Sequence, residues 1–186
     1  MTPNAFPDGW PRVWRGESSG VLFDTFDAAR THHGVGFFFA QSHEHACFYA
    51  GHGTQPRAFA LDPGRTLNLL DPYRVMRDPG VAAVLGALKE GFDEWVCRHS
   101  GEERDVLDYL EAGDLYDYEG TGSGRRWNAL FALAQEAGFD SVCVRDNTDG
   151  VPGEESVVWV VFKPEQIHPD PERATPGVPL RRGFRP

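Results

Sequence analysis

Apolar residues fall in short runs separated by Gly, Pro, Asp and Ser, and most of these runs read as strands. Val13-Trp14 reads as a short first strand, broken by Ser18-Ser19-Gly20. Leu22 to Phe26 and Ala28 to Arg30 read as a turn or short helix. Gly34 and Gly36 bracket a strand at Phe37 to Ala40. Alternation along that strand sends Phe37 and Phe39 to the core and Phe38 to the other face. Further strands are expected at Arg57 to Leu61, stopped by Asp62-Pro63-Gly64, and at Leu67 to Leu70, stopped by Asp71-Pro72. The last two are Ser141 to Arg145 and Ser156 to Phe162, joined by a polar, glycine-rich connection that reads as a hairpin turn.

Helical spacing appears between the strands. Ser42 stands where an N-cap belongs, with His45 at the third helical position, and the helix runs from His43 to about Ala50 before Gly51. Val81, Val84, Leu85 and Leu88 fall at helical intervals, as do Phe92, Trp95 and Val96, so a helical insertion is expected at about 75 to 118. Gly120 to Gly124 reads as a flexible loop. Trp127 to Ala137 reads as an amphipathic helix closed by Gly138. The pattern predicts an α+β domain over residues 12–168. Residues 1–11 form a loosely packed arm, and 169–186 a peripheral tail rich in Pro and Arg.

At 186 residues the chain is long enough for one domain with its own core. Its formal charge of −10 argues against a broad nucleic-acid-binding face, which needs clustered Lys and Arg. The cysteines Cys47, Cys97 and Cys143 are odd in number and widely spaced, as expected of reduced thiols in the cytoplasm. The first residues lack the basic and apolar regions of a signal peptide, and no apolar run approaches membrane-spanning length, so no membrane partner is expected.

Histidines cluster at His32, His33, His43, His45 and His52, with Cys47 among them. On a helix His43 and Cys47 share a face while His45 points away. No zinc-finger spacing or H-E-x-x-H appears, so these residues are expected at the surface and at the rim of a pocket rather than around a metal. Gly120 to Gly124 with Arg125-Arg126 lacks the Lys-Ser/Thr of a phosphate-binding loop and reads as a linker. Nothing resembles the nucleophile motif of a serine hydrolase.

Three separated segments carry the chemistry expected of one pocket. They are Val13 to Ser18, Gly36 to Ser42 with Tyr49, and Gly138 to Asp146 followed by Val157 to Ile167. Aromatic faces beside an Arg and a carboxylate suit a flat cationic ligand carrying phosphates, and nicotinamide dinucleotide is such a ligand. In order and spacing these segments resemble the ADP-ribosyltransferase family, in its diphtheria-toxin and poly(ADP-ribose)-polymerase branch. They are similar to the compact transferase domains of phage and mobile-element polyvalent proteins and to an anti-CRISPR ADP-ribosyltransferase.

The family's first strand ends aromatic-His-Gly-Thr/Ser, matched here by Trp14-Arg15-Gly16-Glu17. Its Gly-Ile-Phe/Tyr-Phe-Thr/Ala-Asp-Ser segment is matched by Gly36 to Ser42, and its helical tyrosine by Tyr49. Its Gly-Tyr-Asp-Gly-Val segment is matched by Gly138 to Val142, and its last strand by Val160 to Ile167.

The resemblance implies a core split into two sheets and mono-ADP-ribosyl transfer from NAD+, the substrate, to a macromolecular acceptor. A protein acceptor is favoured over nucleic acid, and the chain is expected to be a monomer. Arg15 stands where most relatives have His, and would anchor ribose or phosphate through its planar donor fork. Gly16 would let backbone approach the ligand. Phe38 and Tyr49 would sandwich nicotinamide, and Ser42 belongs to the same binding segment. The glutamate that opens the last strand in relatives is Val158 here. The expected catalytic acid is therefore Asp146, in line with an acidic residue of the anti-CRISPR transferase, with Glu155 second. Two other functions stay open: NAD+ hydrolysis without an acceptor, and a non-catalytic module that binds an NAD-like ligand. The family's biological roles include toxins and phage effectors.

Overall fold

The structure, a computed structural model, describes residues 6–16, 36–50, 55–87, 123–146 and 157–173. Its strands are β1 (Arg12–Arg15), β2 (Phe37–Ala40), β3 (Arg57–Leu61), β4 (Thr66–Asn68), β5 (Ser141–Arg145), β6 (Val157–Val161) and β7 (Ile167–Pro169). Its helices are α1 (His43–Tyr49), α2 (Pro72–Val75) and α3 (Ser123–Glu136), with a further helical run at 79–87. The α+β class is as expected.

The strands make one seven-stranded sheet in the order β4-β5-β6-β2-β1-β3-β7. The pair β4–β5 is parallel and all other neighbours are antiparallel. The split into two sheets is therefore not the arrangement of these strands, because hydrogen bonding runs through from edge to edge. Its continuity at the centre rests on little. Between β1 and β2, Trp14↔Ala40 is the one register pair among the described residues. By contrast, β1 and β3 are paired from Arg12↔Ala60 to Arg15↔Arg57. Near that junction, Arg15 Nη1 donates to the Phe38 carbonyl at 3.4 Å.

Alternation gives each face of the sheet its own core. On one face Val142, Val144, Val158 and Val160 meet Leu130, Phe131 and Ala134 of α3 and Val81, Val84 and Leu85 of the 79–87 run. On the other, Val13, Phe37, Phe39, Phe59, Leu61, Val161 and Ile167 pack together. Phe37 and Phe39 are core residues as alternation requires, and Phe38 belongs to the opposite face, against the α3 cluster. Each fully buried large apolar side chain is worth roughly 1.5–3 kcal/mol, so both faces hold β2 and β6 firmly at the centre.

Gly138, at φ +80, ends α3. Phe139 N–H bonds the Ala134 carbonyl and Gly138 N–H the Gln135 carbonyl, the paired pattern of a left-handed helix stop. The start of α3 differs from expectation. Ser123 and Gly124 are helical, so the glycine-rich stretch gives way to helix four residues before Trp127. Of the expected insertion at 75–118, the described part is the helical run to residue 87. The turn or helix at 22–30 and the connection after Asp146 lie outside the described residues.

The strand β7 has no counterpart in the expected pattern, and it carries the chain into the fold past residue 168. Pro169 pairs with Phe59, and buried Asp170 forms an ion pair with Arg12. In the N-terminal arm, the Trp10 ring lies 4.8 Å from that of His168. Gln166 ties this region together: its Oε1 accepts from the Phe162 and Lys163 amides, and its Nε2 donates to the carbonyls of Asp62 and Asp140.

Candidate functional site

The short helix α1 organises the site. Ser42, in extended conformation at φ −100 and ψ 148, caps it by accepting the His45 amide at 3.0 Å. Trp14 of β1 meets the His43 ring edge-on at 4.7 Å between centroids. Gly16, just after β1, lies directly on the helix backbone. A Cβ built there would fall 2.2 Å from the Ala46 carbonyl oxygen and 2.7 Å from the Ala50 nitrogen. The close approach that needs a glycine at this position is thus to α1, where ligand approach was expected.

Two residues chosen from sequence meet beneath this helix. The Tyr49 hydroxyl donates a hydrogen bond to Asp146 Oδ2, although the two lie 97 positions apart. Asp146 follows β5 and is 2 % exposed, whereas Tyr49 is 40 % exposed. The phenol therefore reaches inward to a buried carboxylate while part of its ring faces outward.

A third residue completes the arrangement. His45 Nε2 lies 3.3 Å from the same Asp146 Oδ2. His45 is 0 % exposed, and its ring is 5.4 Å from that of Tyr49, one helical turn on. His45 was expected among surface and rim residues, and its burial corrects that. The signal available in the sequence was its spacing: positions 45 and 49 are i and i+4, so a helix that presents Tyr49 inward also presents His45. The rest of the histidine expectation fares differently. His43 and Cys47 do share an exposed face, with Cys47 Sγ 3.5 Å from His43 Nδ1. His32, His33 and His52 lie outside the described residues. Among the described residues no group of three His, Cys, Asp or Glu side chains is placed to hold a metal ion.

Arg15 and Phe38 sit differently from this cluster. The Arg15 guanidinium lies over the Phe39 ring, 5.5 Å from its centroid, and bonds the Phe38 carbonyl. The Phe38 ring points to the other face, edge-on to Phe131 at 5.3 Å, inside the α3 core. Backbone at Phe38 and guanidinium at Arg15 are thus together, while the Phe38 ring is packed with α3. Glu155 lies outside the described residues. Val158, at the position where the resemblance would look for a glutamate, is buried and paired with Ala40 and Val144.

Cys143 of β5 is buried, and burial pushes its thiol pKa up to about 12, which leaves it a poor nucleophile. Asp140, before β5, has its pKa lowered, first by the hydrogen bond from the Arg65 amide and further by Lys163 and the Arg65 charge. Both belong to the scaffold of the sheet rather than to the α1 cluster. No helix among the described residues is long and apolar enough to cross a membrane.

No protein-family model and no curated protein matches the chain. Among solved structures it is similar to the crystal structure of an anti-CRISPR protein, with a TM-score of 0.45 and 14 % identity, covering 84 % of this chain and 91 % of that one.

Proposed function

We propose that the chain transfers one ADP-ribose unit from NAD+ to a macromolecular acceptor and releases nicotinamide. One observation carries this reading. The aromatic residue and the acid selected separately by resemblance, Tyr49 and Asp146, form one hydrogen-bonded unit between α1 and the end of β5.

The chemistry asks for three things. The bond between nicotinamide and ribose C1′ breaks, its electron pair leaves with nicotinamide, and the sugar passes through an oxocarbenium-like state. An acceptor nucleophile then bonds C1′ and gives up its proton. The protein holds the ring, clamps the diphosphate and places negative charge near the sugar.

Tyr49 offers a half-exposed ring for nicotinamide to lie against. Asp146 supplies the fixed charge. At 2 % exposure it acts from beneath Tyr49 rather than from open solvent, and charge in such surroundings is little screened. Arg15 anchors ribose or phosphate oxygens through its planar donor fork, beside the junction of β1 and β2. Glu155 stays the second choice for the acid. We place the activity in the cytoplasm, with a protein acceptor favoured by the charge of −10, and with a toxin or phage effector role in keeping with the family.

The test is incubation with NAD+ and candidate acceptors, followed by mass analysis. A gain of one ADP-ribose unit on an acceptor with matching nicotinamide release supports transfer. Free ADP-ribose alone supports hydrolysis. Absence of nicotinamide release removes both. A binding module without turnover draws support from the Phe38 ring, which is packed on Phe131 and leaves the nicotinamide sandwich to Tyr49. Calorimetry that finds NAD+ bound and intact would favour it.

A further inference from the structure

We propose that His45 is a positioning residue, which holds the Asp146 carboxylate and, through it, the Tyr49 hydroxyl in a fixed orientation for the sugar. This rests on the reading that Asp146 supplies the charge for the ribosyl cation.

The geometry defines the contact. Tyr49 Oη and His45 Nε2 both approach Asp146 Oδ2, the latter at 3.3 Å. A ring nitrogen without hydrogen would set a lone pair against the carboxylate oxygen, so Nε2 carries the hydrogen and donates it. Two donors on one oxygen, from adjacent turns of one helix, fix the carboxylate against rotation. The helix is itself fixed: Ser42 caps its start, and Gly16 presses β1 onto its backbone at Ala46 and Ala50.

Packing alone does not call for this imidazole. A buried polar ring must recover its lost hydration through hydrogen bonds, and an apolar side chain of similar volume would avoid that cost. Its burial at 0 % exposure beside an equally buried carboxylate points to orientation as its task. Catalysis is sensitive to such orientation, since a displacement of about 1 Å costs on the order of a hundredfold.

Two variants and one spectrum test the assignment. His45→Gln keeps an N–H donor near the Nε2 position, and His45→Leu removes it at similar size. With folding checked by melting curves, nicotinamide release should survive in His45→Gln within a few-fold. It should fall about tenfold or more in kcat for His45→Leu, with KM for NAD+ little changed. Nitrogen NMR of the wild type should find the Nε2–H form, and Asp146→Asn should shift that signal. A folded His45→Leu with unchanged kcat overturns the proposal, as does hydrogen on Nδ1 alone. If the variants do not fold, the spectrum decides: an unmoved Nε2 signal in Asp146→Asn overturns it. If the wild type releases no nicotinamide, the transferase reading falls and takes the catalytic role with it. An active wild type with an indifferent His45 sinks only the positioning role.

Discussion

Tyr49 and Asp146, from α1 and the end of β5, share a hydrogen bond in which the phenol donates to a carboxylate that solvent barely reaches. The bond joins the two halves of the candidate site. It also gives the Tyr49 hydroxyl a task distinct from that of its ring, and the two tasks are separable by mutation. Tyr49→Phe keeps the ring and leaves Asp146 with one donor fewer. Its KM for NAD+ should stay near the wild-type value while kcat falls. Loss of one donor to a buried carboxylate is also expected to cost about 1–3 kcal/mol in stability. Tyr49→Ala should lose ring binding as well and raise KM several-fold, on the scale of roughly 1 kcal/mol for an aromatic contact. Steady-state kinetics of both variants check this. Equal KM in the two would show that the ring is not in contact with substrate.

Gly16 tests how α1 is held. Gly16→Ala drives a methyl group into the Ala46 carbonyl at 2.2 Å, and neither backbone segment yields without moving the helix. A loss of roughly 1–3 kcal/mol, typical of overpacking, is expected. Thermal or denaturant unfolding measures it. An unchanged melting temperature with weakened NAD+ binding would instead mean that the glycine serves the ligand, as the family pattern implies.

Asp140 gives a pH dependence with a defined sign. Its folded pKa lies below the ordinary 3.8, held down by the Arg65 amide and by Lys163. A carboxylate with a depressed folded pKa stabilises the protein above its unfolded pKa, and that contribution fades as pH falls through the folded value. Asp140→Asn should therefore lower stability at neutral pH, and its deficit should shrink below pH 3.8. Denaturation of both proteins at neutral and acid pH checks this. A deficit that grows on acidification would contradict the assignment.

Much of the fold was legible because the signals were local. Phe37 to Ala40 stood between glycine and polar residues, and Ser141 to Arg145 was bounded by Gly138 and a polar turn, so β2 and β5 were found to the residue. Ser42 marked the start of α1, and Gly138 the end of α3, by caps that act within a few residues. What was not legible depends on distant partners. Ile167–Pro169 contains a proline and no alternation, and becomes a strand only because the edge of β3 is there to pair with it. The single Trp14↔Ala40 junction that keeps the sheet continuous has no trace in either segment. Within the site, the resemblance picked out Tyr49 and Asp146, but the inward direction of His45, which stands between polar and small residues, showed only in its i, i+4 spacing from Tyr49. The direction of Phe38 followed from alternation, but its neighbour Phe131 did not.

Nicotinamide release from NAD+ by the wild type and by Asp146→Asn is the most direct measurement of the central claim. Asparagine keeps the size of the side chain and a carbonyl for Tyr49 and His45 to bond, so melting curves should show a folded protein. Removing one preorganised charge should lower the rate by roughly a hundredfold or more. The account predicts a folded, nearly inactive Asp146→Asn beside an active wild type. A folded Asp146→Asn that releases nicotinamide at the wild-type rate would contradict it.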